Sequence, residues 1–86
     1  MKPYDKQVLE LLMSTTATAR AGQDVKVRLR QPDNGRYWGV AYKAAGELRI
    51  DIKPGLGDDD LLKVFTHELS HVLADGSRFV DHGSPL

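Results

Sequence analysis

The chain has 86 residues and contains no cysteine, and this combination restricts how its fold can be stabilised. A domain of this size buries a modest share of its surface, so small folds are commonly reinforced by a disulfide, a metal ion or a partner. Without cysteine, neither a disulfide nor a thiolate metal site can form. We therefore expect a single domain over residues 1–86, reinforced by a metal on histidine and carboxylate or by another subunit.

The composition argues against several classes of function. Lysine plus arginine number 12 and aspartate plus glutamate number 12, so the net charge of zero does not favour nucleic acid or an anionic membrane as a partner. Asp5, Lys6 and Glu10 interrupt the apolar run that a signal peptide needs, and no stretch is long and apolar enough to span a membrane. The sequence predicts a soluble, cytoplasmic protein.

The N-terminal segment has the pattern of an amphipathic helix from Pro3 to about Arg20. Pro3 and Asp5 suit the first turn of a helix, and Gly22 is a fitting stop. The predicted buried face consists of residues at helical spacing: Tyr4, Val8, Leu11, Leu12 and Thr15.

Three segments with alternating apolar residues follow, and each predicts a strand: DVKVRLR (24–30), RYWGVAYK (36–43) and ELRIDI (47–52). Turn-forming residues separate them, and short connections between neighbours predict an antiparallel meander. Within the second segment, Gly39 indicates a bulge or a close approach of the backbone. The predicted inward residues are Val25, Val27, Leu29, Leu48, Ile50 and Ile52, while Arg49 and Asp51 are predicted to face outward.

A second helix is predicted from Asp58 to Ala74, with acidic residues in its first turn and Gly76 as its stop. A helical wheel separates two faces. The predicted core face consists of Leu61, Leu62, Phe65, Leu69, Val72 and Leu73. The other face carries Val64, His67, Glu68 and His71, with Asp75 at its edge. A short irregular tail follows, so the predicted fold class is α+β, with a mainly antiparallel three-stranded sheet between two helices.

The polar face of this helix contains the pattern H-E-x-x-H, from His67 to His71. Residues four apart lie one turn apart, so both imidazoles can reach one metal ion. Two neutral imidazoles plus a third nitrogen or oxygen ligand form a zinc site with an open fourth position. Glu68 is rotated away from both histidines and is placed to act on a water at the metal. Without a metal, the same residues are two surface histidines beside an ordinary exposed acid.

The third ligand is open to several residues. His82 is favoured, because neutral imidazole suits zinc and the chain beyond Gly76 can turn back toward the metal. Asp75 and Asp81 are the carboxylate alternatives, although Asp75 lies a further turn along the helix.

The segment HELSHVLADGSRFVDHGSPL, with the small sheet before it, resembles the zincin metallopeptidases. It looks most like the SprT-like, or Spartan-type, group and its small phage and bacterial relatives. In that group a third zinc histidine follows the helix and precedes a glycine, as His82 precedes Gly83. The resemblance implies a minimal zincin-like domain, with Glu68 as the general base and zinc on His67, His71 and His82. It also implies an edge strand against which an extended peptide can lie.

These features predict a zinc-dependent metallopeptidase, a hydrolase that acts on a polypeptide substrate. The alternative is a non-catalytic module that binds a protein partner and holds zinc only as a structural support. A chain this short has little wall for a substrate cleft, which a homodimer could supply. The DNA-linked role of larger SprT-like proteins is not expected here, because the basic residues Lys26, Arg28 and Arg30 are more typical of the solvated side of a sheet.

Three residues are candidates for stabilising the oxyanion that forms during peptide hydrolysis. Tyr37, Tyr42 and Arg36 qualify by their position in the predicted sheet, although each also suits a packing or rim role. Trp38 is predicted to belong to the core.

Overall fold

The computed structural model describes the backbone of residues 3–75 and 82–84 and the side chains of residues 5–75. The elements are α1 (Pro3–Ala21), β1 (Val25–Leu29), β2 (Gly39–Ala44), β3 (Glu47–Ile52), α2 (Asp58–Asp75) and β4 (His82–Ser84). The predicted α+β class is confirmed. In this described part of the chain, no helix has the length and apolar character needed to cross a membrane.

The sheet is mixed, so the predicted antiparallel meander is wrong. The strand order is β1-β3-β2-β4. β3 is antiparallel to β2, as a tight hairpin requires, but it is parallel to β1. The large buried aliphatic residues lie on β1 and β3, whereas the helix-facing residues of β2 include Gly39 and Ala41. Because β1 lies next to β3, these large apolar side chains form one continuous core. Residues 30–38 connect β1 to β2, which lies on the far side of β3.

The C-terminal segment was predicted to be irregular, but residues 82–84 form a strand. β4 pairs antiparallel with β2, with His82 opposite Ala41 and Ser84 opposite Gly39. Three residues are too few to show an alternating pattern, so this strand has no recognisable signal in the sequence. The predicted helix stop at Gly76 and the candidate ligand Asp81 lie outside the described residues.

Both helices contact the sheet, and the core lies between them and the inward side chains of the strands. The predicted inward residues of β1 and β3 are all buried: Val25, Val27, Leu29, Leu48, Ile50 and Ile52. Met13 and Ala17 complete the core from α1, while Val64, Phe65 and Val72 do so from α2. Trp38 packs against this cluster, as predicted.

The predicted buried face of α1 is wrong. Val8, Leu11 and Leu12 are 51%, 66% and 58% exposed, while Met13 and Ala17 are buried. The side chain of Tyr4 lies outside the described residues, and Thr15 is exposed. The helix is therefore rotated, so that a row of polar residues at spacing four comes to the sheet.

This polar row on α1, formed by Glu10, Ser14 and Thr18, covers the outer edge of β1. The Ser14 hydroxyl accepts from the Val27 N–H at 2.9 Å and donates to the Val27 carbonyl at 3.3 Å. Thr18 makes the same pair of bonds with Val25, at 3.0 and 3.2 Å. The Glu10 carboxylate accepts from the Leu29 N–H at 2.7 Å. The helix thus replaces a neighbouring strand and closes an edge that would otherwise expose unpaired backbone groups.

Removal of one of these hydroxyls should destabilise the protein. In Ser14→Ala the Val27 N–H loses its acceptor, and we expect the free energy of unfolding to fall by about 1–3 kcal/mol, less a few tenths because alanine favours the helix. Thr15→Ala is the matched control, since Thr15 is exposed on the same helix. Urea unfolding measures both. A Ser14→Ala protein as stable as Thr15→Ala would show that α1 does not support the edge of β1.

Candidate metal centre

His67 and His71 are brought together on α2, as their spacing predicted. Their Nε2 atoms are 3.2 Å apart, and the ring centroids are 4.8 Å apart with an interplanar angle of 83°. His67 is exposed and His71 is half-buried. The pair therefore lies at the boundary between the solvated side of α2 and the side that packs against the sheet.

The separation of the two nitrogen atoms suits a shared zinc ion. Zinc lies about 2.0–2.1 Å from each imidazole nitrogen and prefers tetrahedral angles. Two nitrogens 3.2 Å apart subtend roughly 100° at an ion placed at that distance. The observed separation is thus close to that of two ligands of a tetrahedral site, with no rearrangement of the helix.

The same separation also suits a hydrogen bond between the two rings. In that case one Nε2–H donates to the unprotonated Nε2 of the other ring. Zinc binding and this hydrogen bond both need an unprotonated Nε2, and the ion would replace the shared proton. The two imidazoles are therefore already placed to bind one metal ion. Without the ion, the same two nitrogen atoms can share a hydrogen bond.

Glu68 is fully buried, at 0% exposed, which corrects the predicted division of α2 into two faces. Val64, Phe65, Glu68 and Val72 form the buried side of the helix, whereas the predicted core residues Leu62 and Leu73 are 63% and 47% exposed. Compared with the predicted core face, the side of α2 that faces the sheet is rotated toward Glu68. The Glu68 side chain therefore lies between α2 and β2, next to Gly39, rather than on a separate solvated face.

Gly39 of β2 creates the space for this arrangement. A Cβ atom at position 39 would lie 2.5 Å from Val64 Cγ1, 3.1 Å from Glu68 Cγ and 3.4 Å from Glu68 Oε2. The first distance is far below van der Waals contact, so only glycine permits α2 to lie this close to the strand. The close approach predicted for Gly39 is confirmed.

Substitution of Gly39 should therefore separate α2 from the sheet. We expect Gly39→Ala to reduce the free energy of unfolding by about 1–3 kcal/mol, because the added methyl group overpacks the contact with Val64. Gly35→Ala is the matched control, since a Cβ there meets nothing within 4 Å. Thermal or urea unfolding measures both changes. Equal stability of the two variants would contradict the close packing at Gly39.

The structure gives partial information on the third ligand. His82 is in β4 and pairs with Ala41, which lies two residues from Gly39, but its side chain lies outside the described residues. Asp75 is the last residue of α2. Among the side chains that the structure describes, no group of three His, Cys, Asp or Glu residues is arranged to hold a metal ion, and Asp75 stays a predicted alternative to His82.

The structure places the three candidates for oxyanion stabilisation on β2 and in the connection that precedes it. The Tyr42 hydroxyl donates to Asp51 at 2.8 Å on the sheet face opposite α2, and Tyr37 lines a cleft on that same face. Arg36 is exposed in the connection between β1 and β2. The sheet thus separates Tyr42 from the histidine pair.

The contact partners of Gly39 on α2, and the burial of Asp51 on the opposite face of the sheet, had no clear signal in the sequence. Gly39 was recognisable as a close approach, but its partners on α2 were not, because the pairing of a helix with a strand is not local. Asp51 is on the outward face of β3, as predicted, but it is 4% exposed and accepts hydrogen bonds from Arg28 and Tyr42 there. The strand itself offers no hint of this burial, because Glu47 and Arg49 are charged residues at equivalent alternating positions.

Comparison of the chain with protein-family models, with curated proteins and with solved structures gives no match. The resemblance to the zincins therefore stays a prediction.

Proposed function

We propose that the protein is a zinc-dependent peptidase of the zincin type, most similar to the SprT-like group. The observation that carries the proposal is the 3.2 Å separation of the His67 and His71 Nε2 atoms beside a buried Glu68. Two imidazoles and an adjacent carboxylate on one helix supply two metal ligands and a general base.

The backbone register supports His82 as the third ligand. Directly opposed residues on neighbouring strands share a face of the sheet. His82 is opposite Ala41, and Ala41 belongs to the buried face on which α2 packs. Position 82 is therefore on the face of the sheet that also meets the histidine-bearing helix.

In the proposed mechanism, His67 and His71 would hold the zinc ion, which when bound would supply an acidified water and polarisation of the scissile carbonyl. The Glu68 carboxylate accepts a proton from that water and later returns it to the leaving amine. The Glu68 side chain is buried between α2 and β2, and the backbone at Gly39 lies close to its Cγ atom. This close packing restricts the rotamers that Glu68 can adopt. The carboxylate is thereby oriented before substrate arrives.

The sheet limits where an extended substrate can lie. The edge of β1 is closed by Glu10, Ser14 and Thr18 of α1. On the other side, β4 pairs with residues 39–41 of β2, and no described strand lies beside residues 42–44. We therefore place a polypeptide substrate on the β2–β4 side, where main-chain hydrogen bonds could fix it near the metal.

A second candidate function is a zinc-stabilised module that binds a protein partner without hydrolysing it. The full burial of Glu68 favours this candidate, because a general base must reach the water that it deprotonates. A small domain also gains stability from a bound ion, whatever its activity.

The experiment that separates the two candidates is cleavage of an unstructured protein. Purified protein with zinc is incubated with casein, with and without a zinc chelator, and the products are identified by mass spectrometry. The peptidase proposal predicts fragments that appear only when zinc is bound. If no substrate is cleaved but chelation unfolds the protein, as followed by circular dichroism, the module is correct and the peptidase proposal is wrong.

A further inference from the structure

The face of the sheet opposite the helices carries a cleft of about 560 Å³. Its floor is formed by outward residues of β1, β2 and β3, and residues 32–37 of the β1–β2 connection form its wall. Val40 and Tyr42 line it, while Ala41 between them faces the core. The sheet therefore separates this cleft from the candidate metal centre, and its volume is in the range of small-molecule sites.

A buried ionic network forms part of the floor. Asp51, which is 4% exposed, accepts from Arg28 Nε at 3.0 Å and from the Tyr42 hydroxyl at 2.8 Å. Arg28 Nη2 also donates to the Tyr42 oxygen at 2.6 Å. The hydrogen bond to Asp51 raises the pKa of Arg28, and burial raises the pKa of Tyr42. Arg28 is thus held charged in one orientation beside a neutral tyrosine.

This network leaves hydrogen-bond donors directed away from Asp51. Among the hydrogen bonds between described residues, those of Arg28 use Nε and Nη2 and leave Nη1 available. Arg30 and Arg49 line the same cleft, and Arg49 is bonded to Glu47 through Nε at 3.1 Å.

The charge of the lining is weakly positive. Three arginines against Asp33 and Asp51 leave a net formal charge of +1, and the charge of Asp51 is already balanced by Arg28. Arg49 is likewise paired with Glu47 at 3.1 Å, so Arg30 is the lining cation that no ion pair between described residues balances, and Asp33 opposes it. Arg28 and Arg49 still offer a ligand the N–H groups that their ion pairs do not use. These guanidinium donors favour an anionic group at one end of a larger ligand.

We propose that this cleft binds a small molecule that carries a phosphate group. A phosphate monoester has three terminal oxygens, so it can accept from the guanidinium groups of Arg28, Arg30 and Arg49 together, whereas a carboxylate has only two oxygens. The cleft is larger than a phosphate ion, and Asn34 and Tyr37 in its wall supply polar and aromatic contacts for the rest of the molecule.

The proposal is tested by nuclear magnetic resonance titration of the ¹⁵N-labelled protein with ribose 5-phosphate, inorganic phosphate, ribose and succinate. Ribose 5-phosphate should shift amide signals of β1, β3 and the 32–37 segment, and it should bind more tightly than inorganic phosphate. Ribose and succinate should bind at least about tenfold more weakly than ribose 5-phosphate.

Surface variants locate the site without disturbing the Arg28–Asp51 pair. Arg30→Gln and Arg49→Gln should each weaken binding of ribose 5-phosphate by about tenfold, since each removes one charge-assisted contact. Lys26→Gln is the matched control: Lys26 is exposed on the same face of β1 but does not line the cleft, and its loss should change the affinity less than twofold.

Three results would overturn the proposal. The first is the absence of any shift in the cleft at millimolar ribose 5-phosphate. The second is equal weakening by Lys26→Gln, which would indicate attraction to the general charge of the face. The third is binding of succinate as tight as that of ribose 5-phosphate, which would exclude recognition of the phosphate group.

Discussion

Glu68→Gln is expected to bind zinc as the wild-type protein does and to lose peptide hydrolysis by about 10²–10⁴-fold in kcat/KM. The amide has the shape of the carboxylate but cannot accept the proton of the attacking water. Neither imidazole changes, so the 3.2 Å pair of Nε2 atoms and the zinc affinity should persist. Hydrolysis of a fluorogenic peptide and zinc content are measured on the same preparation.

The control for this substitution is Asp59→Asn, which also converts a carboxylate to an amide on α2 but at an exposed position in the first turn. Its activity should match that of the wild type. Because Glu68 is buried, a loss of activity counts only if circular dichroism shows a folded protein. Glu68→Asp provides a second variant, which keeps the acid but withdraws it by one methylene group. Activity of Glu68→Gln within a few-fold of wild type would refute the role of general base.

Local patterns in the sequence were sufficient to predict the two helices, the strands β1, β2 and β3, and the histidine pair. The spacing of His67 and His71 determines their separation once the segment is helical, because neighbours on a helix are set by its period. The alternation of Val25, Val27 and Leu29 determined their burial in the same way. In each case the decisive interaction lies within one element.

The rotation of α1 could not be predicted because it depends on the backbone of another element. Its apolar residues Val8, Leu11 and Leu12 favoured one face, yet the helix turns Ser14 and Thr18 toward β1. A buried backbone N–H without an acceptor costs about 1–3 kcal/mol. Three N–H groups along the edge of β1 find acceptors on α1. The free energy of these hydrogen bonds together outweighs what the helix would gain by burying Leu11 and Leu12 instead. The sequence does not show which strand forms the edge.

Non-local pairing also explains the other errors. Whether β1 lies beside β2 or β3 depends on how their apolar side chains fit beneath the helices, and both arrangements fit the alternation. The burial of Glu68 depends on the contact of α2 with Gly39, and the strand at 82–84 depends on the free side of β2. Each requires knowledge of the assembled sheet.

Loss of zinc from single-histidine variants is the second large effect that we expect. Structural zinc sites contribute about 10 kcal/mol or more over three or four ligands, so removal of one ligand should weaken binding by roughly 100-fold or more. His67→Ala and His71→Ala each remove one of the two nitrogens that are 3.2 Å apart. His82→Ala tests the third ligand, and an unchanged affinity would transfer that role to another residue.

The most direct measurement is the zinc content of the purified protein, determined by inductively coupled plasma mass spectrometry after incubation with zinc and gel filtration. Thr66→Ala is the matched control, because Thr66 is an exposed neighbour of the pair and its hydroxyl donates to the Leu62 carbonyl within α2. We predict one zinc ion per chain in the wild type and in Thr66→Ala, and little zinc in His67→Ala and His71→Ala. A wild-type protein without zinc, or histidine variants that retain the full amount, would contradict the proposed metal centre.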